Sequence, residues 1–164
     1  MVAAVGDGDA ATVATLVAQS FAQAGREVTL VDADLRAPAL AERLGLTSDG
    51  GLGPVLRGEV DSSAAITTAD DGLRVLPASQ ESGALELVDS AAMSILVNEL
   101  RADRHRLLLV APSLTAVADA TALARRVDAV LLVVRVGHTK QRDLGQALAD
   151  LDPKTEVYLV VTDA

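Results

Sequence analysis

The sequence predicts an α/β fold: a mostly parallel sheet of about six strands with helices on both faces. Three observations carry this. Six short apolar runs alternate with longer segments whose apolar residues recur every three or four positions. Most of the runs are continuous, as strands buried on both faces read. Regular strand–helix alternation implies parallel neighbours joined by right-handed crossovers.

The elements follow in order. Residues 2–5 form the first run, and residues 10–24 read as a helix closed by Gly25 in the usual C-terminal position. Residues 27–31 are the second strand and residues 37–44 a second helical pattern. Gly45, Gly50, Gly51, Gly53 and Gly58 mark residues 47–58 as a loop with a short helix. The remaining strands are 73–77, 107–111, 129–135 and 156–162, and the helices between them are 84–101, 118–126 and 139–151. No repeat or linker divides the chain. Its 164 residues, 50% hydrophobic, are expected to form one domain over 1–164, standing alone or as a piece of a longer polypeptide.

Composition excludes several functions. With no cysteine and two histidines, a disulfide framework, a thiolate metal site, a cysteine nucleophile and a structural zinc site are not expected. Phe21 and Tyr158 are the whole aromatic set, which leaves no platform for stacking bases. A net charge of -9 argues against a nucleic-acid partner. No apolar run is long enough to span a membrane, and the start lacks the basic leader of a signal peptide, so a cytoplasmic location is expected.

In open parallel sheets, ligands sit at the carboxyl ends of strands, so the first strand–turn–helix is the place for chemistry. It reads Val5-Gly6-Asp7-Gly8-Asp9-Ala10-Ala11-Thr12. One reading is a dinucleotide fingerprint, with Gly6, Gly8 and Ala11 in a G-x-G-x-x-[GA] pattern and Asp32 as the ribose-binding acid. Another is a decayed phosphate-binding loop, because a working one needs G-x-x-x-x-G-K-[ST] and the only lysines are Lys140 and Lys154. A glycine turn with no ligand is the third.

The stretch Gln23-Ala-Gly-Arg-Glu-Val-Thr-Leu-Val-Asp-Ala-Asp-Leu-Arg-Ala-Pro38 resembles the second-strand region of the bacterial tyrosine kinases (BY-kinases). These are deviant P-loop ATPases related to MinD and ParA. The resemblance continues through Gly51-Leu-Gly-Pro-Val-Leu-Arg-Gly-Glu59, Gly72-Leu-Arg-Val-Leu-Pro-Ala78, Leu85-Glu-Leu-Val-Asp-Ser90, Val117-Ala-Asp-Ala-Thr-Ala-Leu-Ala124 and Val127-Asp-Ala-Val-Leu-Leu-Val-Val-Arg135. It implies a three-layer P-loop NTPase-like fold. It also implies a role in assembling or exporting surface polysaccharide, beside a membrane partner that sets chain length.

The chain departs from that family where the chemistry sits. Aligned without gaps, the family's lysine falls at Ala10 and its serine at Ala11, while Thr12 survives. The acid expected before the family's Pro-Pro falls at Val110, and the asparagine ending its last strand falls at Asp163. The family's tyrosine cluster and the helices preceding its first strand do not fall within these 164 residues. Asp32, Asp34 and Arg36 remain.

Phosphoryl transfer depends on positioning and charge stabilisation. Ala10 removes the fixed cation, and Asp7 and Asp9 place carboxylates where a polyphosphate would lie. Two unit charges about 4 Å apart repel by roughly 1–4 kcal/mol at effective dielectric constants between about 80 and 20. The expectation is therefore weak or absent Mg-ATP binding, no cofactor, and a catalytically inactive domain. Such a domain would act by binding protein, either a membrane polysaccharide co-polymerase or export component, its own membrane-anchored part, or a further copy. It would lie in the cytoplasm or at the inner face of the membrane. Two alternatives remain: an atypical ATPase or tyrosine kinase completed by a partner, and a dinucleotide-binding domain.

Asp9 is expected either to cap the first helix, taking part of the place of a ligand phosphate, or to share with Asp7 the role of an exposed turn residue. Asp32 and Asp34 read as relics of a magnesium site or, for Asp34, as a cap. His105 and His138 read as surface residues and Asp119 as a helix cap. Arg101, Arg104, Arg106, Arg125 and Arg126 read as solvated charges or, less simply, as an interaction patch.

Overall fold

Apolar runs that need cover on both faces produce a sandwich of helices around a sheet. A computed structural model describes residues 1–47, 50–69, 71–101 and 105–163. In chain order its elements are β1 (Val2–Ala4), α1 (Ala10–Gln23), β2 (Val28–Asp32), α2 (Leu40–Arg43), α3 (Leu52–Leu56), α4 (Ser62–Ala65), β3 (Thr67–Thr68) and β4 (Arg74–Leu76). They continue as α5 (Ala84–Val88), α6 (Ala91–Leu100), β5 (Arg106–Val110), α7 (Ala118–Ala124), β6 (Ala129–Arg135), α8 (Gln141–Ala149) and β7 (Glu156–Thr162).

The strands form one sheet in the order β3-β4-β2-β5-β1-β6-β7. Every neighbouring pair is parallel except β3 and β4. Period-two alternation sends Ala3, Val31, Leu109 and Leu132 to one face, where they pack with Val88, Leu96 and Leu123 of α5, α6 and α7. Val2, Leu30, Val75 and Val133 point to the other face, against Ala14 and Ala18 of α1. The small buried side chains of α1 let its axis lie close to the strands. The helix stops where Gly25 takes φ +68 and the Arg26 N–H donates to the Phe21 carbonyl.

Strand order removes one alternative. In the dinucleotide-binding fold the first two strands are neighbours. Here β5 stands between β1 and β2, pairing Leu30 with Leu108 and Val2 with Val110. Gly6, Gly8 and Ala11 therefore do not belong to a dinucleotide fingerprint.

Several boundaries differ from expectation, each for a local reason. The helix expected over 84–101 is two helices, because the Ser90 Oγ accepts the Met93 N–H at 3.2 Å and starts α6 afresh. The helix expected over 37–44 shrinks to α2, because backbone amides of 34–40 are bound by the carboxylates of Asp32 and Asp34. The sequence predicts neither β3 nor α4. The two residues of β3 owe their strand state to pairing with Arg74 and Val75 rather than to any run of their own. No helix among the described residues is long and apolar enough to cross a membrane.

Two further expectations fail. Arg126 is not a solvated charge: it donates to the Ala122 carbonyl at 2.7 Å, the Ser94 Oγ at 3.1 Å and the Asp89 carbonyl and carboxylate at 3.0 Å, joining α7 to the α5–α6 junction. His105 is half-buried rather than a free surface residue, and its Nε2 lies 2.7 Å from Glu27. His138 is exposed, as expected. Arg101 pairs with Asp128 at 2.9 Å and Arg106 lies over the Phe21 ring, 5.3 Å from its centroid. Arg104 lies outside the described residues.

Candidate functional site: the turn between β1 and α1

The carboxyl ends of β1, β2 and β5 meet at the turn that follows β1. Gly6 adopts φ +65, which reverses the chain directly after Val5. Its N–H donates to both Ser113 Oγ (3.1 Å) and Thr115 Oγ1 (3.2 Å), hydroxyls supplied by the loop after β5. Gly8 is required for a different reason. A Cβ there would sit 3.0 Å from the Ala4 Cβ and 3.1 Å from the Val133 carbonyl, tighter than the neighbouring strand allows. Asp7 is exposed.

Asp9 is the N-cap of α1. Its Oδ1 accepts the Thr12 N–H at 3.0 Å and its Oδ2 accepts the Thr12 hydroxyl at 2.8 Å. Arg43, at the end of α2, closes the arrangement from across the cleft. Its Nη2 lies 3.0 Å from Asp9 Oδ2, and its Nη1 donates to Thr12 Oγ1 at 2.7 Å. Burial alone pushes the Asp9 carboxyl up, but the Thr12 bonds and the Arg43 guanidinium together hold it below the usual carboxylate range.

Asp32 ends β2 and is almost fully buried. Its Oδ2 accepts the N–H groups of Ala39 and Leu40, both at 2.9 Å, and its Oδ1 accepts the Asp34 N–H at 3.3 Å. Burial nevertheless raises its pKa to about 6, against the pull of those three bonds. Asp34 accepts the N–H groups of Arg36 and Ala37 at 3.1 and 3.0 Å, which is the capping role. Arg36 leaves the cleft: its Nε and Nη2 grip the two oxygens of Asp119 at 2.7 and 3.1 Å. Asp119 is therefore not a helix cap; Val117 holds that position, and Asp119 is a buried carboxylate in a bidentate ion pair.

These groups enclose a cleft of about 220 Å³ lined by Gly6, Gly8, Asp9, Asp32, Asp34 and Arg43, with Ala10, Ala11 and Val110 also on its wall. Pockets that bury a small molecule run from about 300 to 1,000 Å³. Larger hollows lie elsewhere, among them one of about 570 Å³ between α5, α7 and α8 and one of about 490 Å³ at the amino ends of the strands. Asp163 is exposed just beyond β7 and is not among the residues lining the cleft. Among the described residues no group of three or more acidic, His or Cys side chains is placed to hold a metal.

Arg43 is the one cation among the described residues lining the cleft, and it is already paired. The donor set offers a magnesium-bound triphosphate no free cation, one occupied helix N-terminus and three carboxylates, so it does not fit that group. Of the residues the sequence singles out, Gly6, Gly8, Asp9, Asp32 and Asp34 line this one cleft, whereas Arg43, Ser113 and Thr115 carry no sequence signal that points to it. The spacing carries no signal for Arg43, which meets Thr12 from 31 positions away.

Fold and cleft together define the class: the P-loop NTPase-like parallel α/β fold, with the glycine turn after β1 where such proteins place phosphate. No protein-family model matches the chain. The tyrosine-protein kinase YwqD of Bacillus subtilis (strain 168) is 33% identical over 144 residues, covering 87% of this chain and 60% of YwqD. The succinoglycan biosynthesis transport protein ExoP of Rhizobium meliloti (strain 1021) is 32% identical over 135 residues, covering 79% of this chain and 17% of ExoP. The chain thus spans less than two thirds of either relative. The crystal structure of the VpsO kinase domain superposes with a TM-score of 0.92 at 28% identity, covering 100% of this chain and 83% of that one. The septum site-determining protein MinD of Pyrococcus horikoshii OT3 shares the fold, with a TM-score of 0.79 at 19% identity over 98% of this chain and 68% of MinD. The chain is a homologue of the bacterial tyrosine-protein kinases and has the P-loop ATPase fold of MinD.

Proposed function

We propose that residues 1–164 act as one catalytically inactive, BY-kinase-like unit that binds protein instead of nucleotide. The observation that carries this is the closure of the α1 N-terminus by the chain's own Asp9, Thr12 and Arg43. In a nucleotide-binding loop the free amides and dipole of that helix attract phosphate. Here a carboxylate already fills the cap, Ala10 stands where a lysine is needed, and Val110 replaces an acid on β5. Any phosphate entering the cleft would displace an ion pair and meet like charge.

The relatives support a setting. ExoP is a succinoglycan biosynthesis transport protein and YwqD a tyrosine-protein kinase. The chain is assigned on that basis to bacterial exopolysaccharide or capsule assembly and export, with a role in chain-length regulation. Its partner would be a membrane component of that system, which would hold it at the inner face of the membrane.

Calorimetric titration with MgATP tests the inactive reading. The unaltered chain is expected to give no measurable heat of binding and no autophosphorylation. The combined variant Asp9→Gly, Ala10→Lys, Val110→Asp restores cation, open amides and acid, and should gain affinity. Submicromolar binding by the unaltered chain would overturn the reading. An active kinase or ATPase completed by a partner draws on the retained Asp32, Asp34 and Arg36; MgATP hydrolysis that begins only on adding a membrane export component would favour it.

A further inference from the structure

The two edges of the sheet are unlike. β3 is two residues long, a short edge of the kind that discourages pairing. β7 is seven residues long and pairs without a bulge along its whole length, from Glu156 opposite Ala129 to Thr162 opposite Arg135. Within it there is no lysine and no proline. Its apolar side chains are exposed on both faces of the sheet, Leu159 at 51% and Val161 at 63% on one face, and Tyr158 at 55% on the other. Natural edges are normally blunted by charge, proline, bulges or cover; β7 has no proline and no bulge, and its one charge, Glu156, sits at its first position.

Among the described residues, none pairs with the backbone of that edge on the side away from β6. The Thr162 carbonyl accepts the Val136 N–H, so it points toward β6. Period two then turns the N–H and C=O of Val157, Leu159 and Val161 outward. We propose that this edge pairs antiparallel with β7 of a second copy about a two-fold axis at Leu159, making one continuous sheet.

The side-chain order is what selects a second copy and this register. With Leu159 opposite itself, Val157 meets Val161, Tyr158 meets Val160 and Glu156 meets Thr162. Every apolar residue faces an apolar residue on the same face, an aromatic meets a β-branched side chain, and no like charges oppose each other. A shift that centres Tyr158 sets Glu156 against Val160, and one that centres Val160 sets Asp163 against Val157. The pairing forms about six backbone hydrogen bonds. It buries on the order of 400 Å² per copy, about half of what a stable interface takes from each partner, so the dimer forms at micromolar concentration. Each copy carries a charge of -9, so added salt strengthens association.

Sedimentation equilibrium on the 164-residue chain reads the outcome. The weight-average mass should rise from 16.8 kDa toward twice that value between about 1 and 300 µM, more steeply in high salt. Leu159→Lys, at an exposed site, should keep the fold by circular dichroism and hold the mass at the monomer value. The chain has no cysteine, which allows a sharper test. Leu159→Cys should form a disulfide dimer on mild oxidation. Val161→Cys, although more exposed, should not, because two copies of that position lie roughly 14 Å apart. A mixture of Val157→Cys and Val161→Cys chains should cross-link.

A monomer throughout the concentration range would overturn the proposal, as would a dimer indifferent to Leu159→Lys or cross-linking of Val161→Cys as readily as Leu159→Cys. Slow hydrogen exchange at Val157, Leu159 and Val161 in a monomer would also overturn it, by assigning the edge to another segment of the same polypeptide.

Discussion

Asp9 serves the helix, the turn and the cleft through one carboxylate. It satisfies an amide that α1 cannot pair internally, holds the Thr12 hydroxyl and anchors Arg43. Replacing a capping Asp by Ala removes about 1 kcal/mol, within a range of about 0.5–2. Asp9→Ala should therefore lower the urea midpoint by that equivalent; on the inactive reading proposed above it should also confer no MgATP affinity, since Ala10 supplies no cation. Asp32 has the opposite electrostatic sense. Its folded pKa of about 6 lies above the ordinary 3.8, so the folded state holds the proton more tightly than the unfolded chain. The stability it contributes is full below about pH 4 and is lost as pH rises to about 6. A shift of that size corresponds to about 3 kcal/mol. Urea unfolding of the wild type and Asp32→Asn across pH 4–7 should show the wild type losing roughly that amount relative to the variant; a constant difference would refute the assignment.

At the scale of elements, short polar side chains set where helices start and stop. Ser90 divides 84–101 into α5 and α6, and Arg126 then buttresses the break by binding Asp89 and Ser94. Ser90→Ala should cost about 1 kcal/mol through the lost cap. The expected readout is a lowered melting temperature with helical circular dichroism retained below it. The same logic explains the brevity of α2. Asp32 and Asp34 bind the amides a longer helix would need, and the result is a tight loop that delivers Arg43 to Asp9.

For the whole molecule, inserting β5 between β2 and β1 brings the loop after β5 beside the first turn. That is why Ser113 and Thr115 reach the Gly6 N–H from more than a hundred positions away. The same order leaves β7 at an edge, where β6 is its one neighbour among the described residues. Its strand could be read from its apolar run, but its exposure could not. A continuous apolar run reads as a fully covered strand, and β7 is instead open along one backbone edge and at several side chains. The run and the packing disagree there, which is the observation behind the dimer proposed above.

The sequence by itself determined the fold class, because buried parallel strands and amphipathic helices impose periods that show in any window of a dozen residues. It also determined that Ala10 and Val110 carry no charge and that Asp9 begins a helix, since these are properties of single residues and their nearest neighbours. Tertiary structure alone decided strand order, the closure of Asp9 by Arg43, the burial of Asp119 against Arg36 and the half-burial of His105 against Glu27. Those contacts join residues on different crossovers, and no local pattern encodes which crossovers become neighbours. That choice follows from packing every apolar face at once, so the chemistry of the cleft becomes legible only when the sheet is assembled.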